Sequence, residues 1–251
     1  MNSEIKETKV LSEEEQVSQI LENLPGETES EISVPSGGYS YFKGKAGLIK
    51  LKPIRFGDEK ELAMGNRGPN FNPANFLLAK CVSNVDVDDL LLIDKLYLLL
   101  KIREISYGNE YEVGVGCTAC GHENKLNLHI DQLDSVDIPE DMDLFNIPVH
   151  LKGIGKDAIV TAPLVSEEDF LAPQSIQTNL WRFVKSIAGN NSPAVISKVI
   201  QELPLVDVHT LINAFSLEKF GIQPKIKYTC DGCTHLNLIS LPIDENFFSV
   251  S

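Results

Sequence analysis

The stretch Tyr111–Ile130, YEVGVGCTACGHENKLNLHI, has a counterpart in Lys225–Ile243, KIKYTCDGCTHLNLISLPI, and the relation between the two decides the fold. Each runs from alternating strand-like residues into Cys-x-x-Cys-x-His and back into strand-like residues. Two cysteines two residues apart in a tight turn can aim both sulfurs at one ion, and a second such turn completes a tetrahedron. Cys117, Cys120, Cys230 and Cys233 are therefore the expected ligands of one structural Zn2+ site, although 109 residues separate Cys120 from Cys230. Glycine tolerates the dihedrals of such turns, and Gly116, Gly121 and Gly232 stand at or inside them. Four thiolates leave no open coordination position, so the site is expected to hold structure rather than to activate water.

Other readings of the cysteines have weaker support. A redox Cys-x-x-Cys opens a helix in a βαβ context, whereas both pairs here sit between strands. Disulfides need an oxidising compartment, and nothing in the chain indicates one. His122 and His235 share one offset after each pair. Either could replace a cysteine as ligand, or both are turn residues or donors behind the ligands.

The chain of 251 residues is 43% hydrophobic and 23% charged, an ordinary globular composition. Its net charge is −14, and residues 1–36 hold nine Glu against two Lys, half of that excess. An acidic balance disfavours binding to a phosphate backbone or to an anionic membrane surface. Five cysteines do not make a disulfide scaffold. The first residues lack the basic and apolar regions of a signal peptide, and the most apolar run, Leu90–Leu100, is interrupted by Asp94 and Lys95 and too short to span a bilayer. A soluble protein of a reducing cytoplasm, with neither nucleic-acid nor membrane partners, is expected.

Residues 1–36 read as an acidic, largely disordered leader with one short helix. Ser12 to Glu15 form a capping box, and Val17, Ile20, Leu21 and Leu24 follow on one face before Pro25-Gly26. That helix either frays or offers its apolar face to a partner. Residues 37–251 read as a single α+β domain. Tyr39–Phe42 and Leu48–Leu51 predict a hairpin, Asp58–Leu62 a helix, and Asn72-Pro73 the entry of a helix through Cys81, a core thiol. Further helices are expected between Asp86 and Ile105. The zinc-ribbon-like halves lie near 111–130 and 225–243, and a large, mostly helical insertion covers about 166–221. Its three helices place Ile176, Leu180, Phe183, Val184 and Ile187 on one face, start again at Ser192-Pro193, and run from Asp207 to Gly221. Phe247 and Phe248 either tuck against the knuckle hairpins or form an apolar patch for another protein.

No catalytic constellation stands out, so the chain is not expected to be an enzyme. There is no Gly-x-Ser-x-Gly elbow and no His-Glu-x-x-His. Gly153-Ile154-Gly155-Lys156-Asp157 lacks the length and the Ser/Thr of a phosphate loop and reads as a turn.

Taken in order, Val34–Gly38, Pro53–Glu59, Leu90–Ser106, the Cys117/Cys120 knuckle, a helical middle, the Cys230/Cys233 knuckle and Phe247-Phe248 resemble the baseplate hub and hub-assembly proteins of T-even-type bacteriophages over about residues 34–251. The resemblance implies a late tail-assembly protein, either a chaperone or assembly catalyst or a minor hub subunit. It further implies other baseplate hub proteins as partners, in the host cytoplasm during assembly or in the virion baseplate. It supplies no catalytic residues. The alternative from another class is a zinc-ribbon nucleic-acid-binding or transcription regulatory protein. Against that alternative, the knuckle hairpins carry only Lys125, Lys225 and Lys227 as basic residues.

Overall fold

A capping box places the first helix where the sequence puts it. The computed structural model describes residues 12–21, 29–42, 45, 47–64, 71–241 and 247. Ser12 opens α1 (Glu13–Leu21), its hydroxyl accepting from Glu15 N at 3.2 Å while Glu15 Oε2 accepts from Ser12 N at 2.8 Å. No residue of α1 is buried, and Leu24 lies outside the described residues.

β1 (Ser30–Ile32) pairs antiparallel with β2 (Ile49–Leu51), so the expected pairing of Tyr39–Phe42 with Leu48–Leu51 does not form. Residues 35–42 coil into turns instead, with Gly37 and Gly38 at positive φ. The cause is a buried carboxylate. Asp94 accepts from Ser36 N at 3.0 Å, Ser36 Oγ at 2.5 Å and Tyr41 Oη at 2.6 Å, and Tyr41 Oη accepts in turn from Leu91 N at 2.8 Å. Val34 and Ser36 are buried, so ordered chain begins before residue 37.

α2 (Phe56–Met64) buries none of its residues fully, although Leu62 is half-buried against the core, whereas α3 (Pro73–Cys81) buries Leu77, Leu78 and Cys81. Asn72 caps α3 by accepting from Ala74 N and Asn75 N at 3.0 and 3.2 Å. Cys81 is the expected core thiol; burial and the nearby Asp58 push its pKa up to about 12. α4 (Leu92–Tyr107) buries seven residues all round its circumference, which makes it a central helix rather than a surface one. It leads through Gly108, at φ 90°, into the first hairpin, β3 (Glu110–Gly116) with β4 (Glu123–His129). β3 alternates exposed and buried along its whole length.

β5 (Ser135–Val136) then precedes β6 (Ile147–Leu151) and β7 (Lys156–Val160), which pair antiparallel. The helix expected over Ile176–Ile187 breaks into three pieces: α5 (Ile176–Asn179), a 3-10 turn at Leu180–Phe183, and β8 (Val184–Ile187). β8 adds itself to the open edge of β7. The apolar spacing suits a helix, but pairing with β7 and burial of Phe183 and Val184 override it. α6 (Pro193–Glu202) starts after Ser192 as expected. α7 (Leu205–Ser216) ends at Leu217, a buried left-handed residue at φ 53°, and not at Gly221. Gly221 belongs to β9 (Gly221–Ile222), which pairs with β5. The stretch expected as the insertion, about 166–221, is mostly α-helix and 3-10 turn with β8 as its main strand, while β6 and β7 lie before it. β10 (Lys225–Thr229) and β11 (Leu236–Ser240) form the second hairpin.

The architecture is α+β, built from helices and small antiparallel sheets around two apolar clusters. One gathers α3, α4, β2 and the inner faces of both knuckle hairpins. The other gathers the β6–β7–β8 sheet, α6 and α7. Lys95 on α4, almost fully buried, reaches Glu168 at 2.5 Å, and Glu168 also accepts from Asn72 at 3.1 Å, which ties the two halves together.

Candidate metal centre

Two hairpins present the same local structure. In the first, Cys117 N donates to His122 O and Gly121 N to Cys117 O, both at 2.9 Å. In the second, Cys230 N donates to His235 O and Thr234 N to Cys230 O, again at 2.9 Å. The residue after each second cysteine is left-handed, Gly121 at φ 73° and Thr234 at φ 59°. Each turn thus aims two sulfurs outward from the hairpin end. The tips interlock, since a Cβ on Gly232 would meet His122 Cγ at 2.9 Å.

Interlocking brings the two pairs together. Cys117 Sγ lies 3.7 Å from Cys233 Sγ, Cys120 Sγ lies 3.8 Å from Cys230 Sγ, and all four sulfurs fall within 4.8 Å of one another. A tetrahedron with Zn–S bonds of about 2.3 Å has edges of about 3.8 Å, so the donor set fits a four-thiolate ion. Neither histidine joins the cluster; both are exposed and contribute backbone carbonyls.

The residues that the sequence reading missed are Asn124 and Asn237, exposed by only 2% and 1%. Each braces the opposite knuckle. Asn237 Nδ2 donates to Cys117 Sγ at 3.5 Å, and its Oδ1 accepts from Thr118 N at 3.0 Å and Thr118 Oγ1 at 2.8 Å. Asn124 Nδ2 points at Cys230 Sγ at 3.8 Å, and its Oδ1 accepts from Asp231 N at 2.9 Å. Ala119 N and Gly232 N add donors to the same two sulfurs at 3.4 and 3.3 Å. The signal lay in the sequence: both copies read Cys-x-x-Cys-x-His-x-Asn.

Electrostatics agrees with a cation. Burial raises the Cys117 thiol, but the N–H groups of Cys120 and Ala119 and the Asn237 amide outweigh it and bring it to about 6. Cys230 is lowered in the same way, against burial, by the N–H groups of Cys233 and Gly232. At Cys233 the N–H of His235 favours the thiolate, yet the neighbouring sulfurs, Cys120 foremost, push it up to about 12. Sulfurs this close do not all ionise without a positive charge among them.

One other expected feature resolves differently. Phe247 is fully buried, edge-on to Tyr111 at 4.9 Å with the Arg103 guanidinium over both rings, so it is core and not a partner patch. Phe248 lies outside the described residues. Val17, Ile20 and Leu21 are exposed on α1. The Gly153–Asp157 stretch is the end of the β6–β7 turn and the first two residues of β7, and its Gly153 and Ile154 N–H groups already donate to buried Asp207 at 2.8 and 3.1 Å.

A family model described as T4 bacteriophage base plate protein matches residues 27–249, nearly the whole of the chain. The chain belongs to that family. Membership in a T4-type baseplate family implies assembly with other phage proteins at the baseplate. The match spans both knuckles and everything between them, while α1 lies before it. No curated protein and no solved structure matches the chain. Among the described residues no helix is long and apolar enough to cross a membrane.

Proposed function

We propose that this baseplate protein works at the hub, as an assembly chaperone or minor hub subunit, through protein–protein contact and without catalysis. Cys117, Cys120, Cys230 and Cys233 would hold a structural Zn2+ in a zinc-ribbon-like pair of knuckles. The observation that carries the metal reading is sulfur spacing that fits a tetrahedron, closed by four ligands and backed by two buried asparagines. The ion, when bound, supplies charge neutralisation and a cross-link; Asn124, Asn237 and the turn N–H groups orient the sulfurs. Family membership supports the baseplate role, and hub assembly is the finer reading of it. A nucleic-acid role fits poorly, because Glu110, Glu112 and Glu123 crowd the outer face of the first hairpin and Lys125 is paired with Glu112 at 3.1 Å.

One experiment addresses both halves of the proposal: affinity purification from infected cells, with elemental analysis of the purified protein. Near-stoichiometric zinc and co-purifying hub proteins are expected. Absence of metal from protein purified without chelator would overturn the zinc site. Recovery only with peripheral tail components would overturn the hub assignment. Presence in finished particles would select the subunit version over the chaperone.

A further inference from the structure

The second knuckle hairpin carries an outer face that the first one shows to be unnecessary for its fold. Strand register sets Lys225, Lys227 and Thr229 opposite Ser240, Leu238 and Leu236, and all six side chains are exposed. Leu236 and Leu238 are 65% and 56% exposed. The positions equivalent to the two leucines, counted from Cys120 and Cys233, are Glu123 and Lys125 in the first hairpin. The same turn and the same donor geometry therefore form with polar residues there. Lys225 and Lys227 flank the leucines and make no ion pair among the described residues. The face is cationic and apolar on a chain of net charge −14.

The complementary surface lies on the same chain. α1 carries Glu13, Glu14 and Glu15 in its first turn, followed by Val17, Ile20 and Leu21 at 53%, 75% and 40% exposure. A helix of this length spans about 14 Å and a strand like β11 about 17 Å, so the two match end to end. We propose that α1 of one copy lies across the outer face of β10–β11 in a second copy. Its apolar side covers Leu236 and Leu238, and its acidic turn faces Lys225 and Lys227. Nine residues of helix bury too little for a standard interface of about 1,600 Å². Reciprocal exchange in a closed dimer doubles the contact, which places self-association in roughly the micromolar range.

Sedimentation equilibrium of the intact protein tests this. The expected result is a monomer–dimer equilibrium over roughly 1–100 µM that weakens with added salt. Lys225→Glu with Lys227→Glu, and separately Leu236→Ser with Leu238→Ser, should each raise the dissociation constant about tenfold or more, with unchanged circular dichroism. Adding Glu13→Lys and Glu14→Lys to the lysine variant should restore association. A chain that stays monomeric throughout overturns the proposal, as does a dimer indifferent to these substitutions or a charge swap that fails to restore it. Cross-linking between α1 and β11 within one copy, while the intact chain remains monomeric, also overturns it by showing that the leader covers its own face.

Discussion

Asn124 and Asn237 show how a buried amide can connect two halves of a site. Each satisfies a backbone N–H of the opposite turn and faces a sulfur there, so neither knuckle is complete without the other. Replacing either by Ala is expected to lower zinc affinity about 10- to 100-fold, with the fold retained at saturating metal. Competition against a chromophoric chelator measures this, and equal affinities in wild type and variants would refute the bracing role. Thr234 offers a second test. It occupies the left-handed position that Gly121 fills in the first knuckle, and a β-branched residue is strained there. Thr234→Gly should therefore stabilise the zinc-loaded protein by about 0.5–1 kcal/mol, and Gly121→Thr should destabilise it by about 1–2 kcal/mol, in thermal melts. The cysteines were legible because their spacing is itself the chemical signal. The asparagines were not, because an isolated Asn between strand residues looks like any exposed polar position. Only its recurrence at the same offset from both pairs marks it.

Elements followed the sequence where local chemistry and tertiary contact agree. Asn72-Pro73 opens α3, Ser192-Pro193 opens α6, and both knuckles are hairpins. The two that failed were decided by distant partners. β8 exists because β7 offers an open edge, and the Val34–Phe42 turns exist because Asp94 waits at the start of α4 with its acceptors unfilled by its own helix. Burial raises the Asp94 carboxyl above its ordinary value, although the hydrogen bonds from Ser36 and Tyr41 pull the other way. Below about pH 4 the group is neutral in both folded and unfolded chains, and its contribution to stability is complete. As pH rises, the unfolded chain gives up its proton first and that contribution is lost through the folded pKa. Asp94→Asn should remove this component. In urea titrations at stepped pH, the wild type should lose more stability than the variant on going from pH 4 towards neutrality, and parallel curves would contradict it.

At the scale of the whole molecule, the described residues form two apolar clusters, and of these the first includes the knuckles. The single tryptophan, Trp181, packs against the second, with Arg182 over its ring at 4.9 Å. Chelation is therefore expected to unfasten the hairpins, whose inner residues Tyr111 and Tyr228 are buried, while leaving tryptophan emission near its native position. A tryptophan red shift that tracks zinc loss would mean that the two clusters melt as one unit. The long separation of the two thiol pairs also has a meaning for synthesis. The first knuckle leaves the ribosome 109 residues ahead of the second, a lag of about 5–20 s at ordinary elongation rates. During that interval a nascent chain holds two thiols and one asparagine whose counterparts do not yet exist. Any product terminated before Cys230 is born unable to close its clasp, so an ion held there would report that translation has passed through the β6–β7–β8 region and reached the second hairpin.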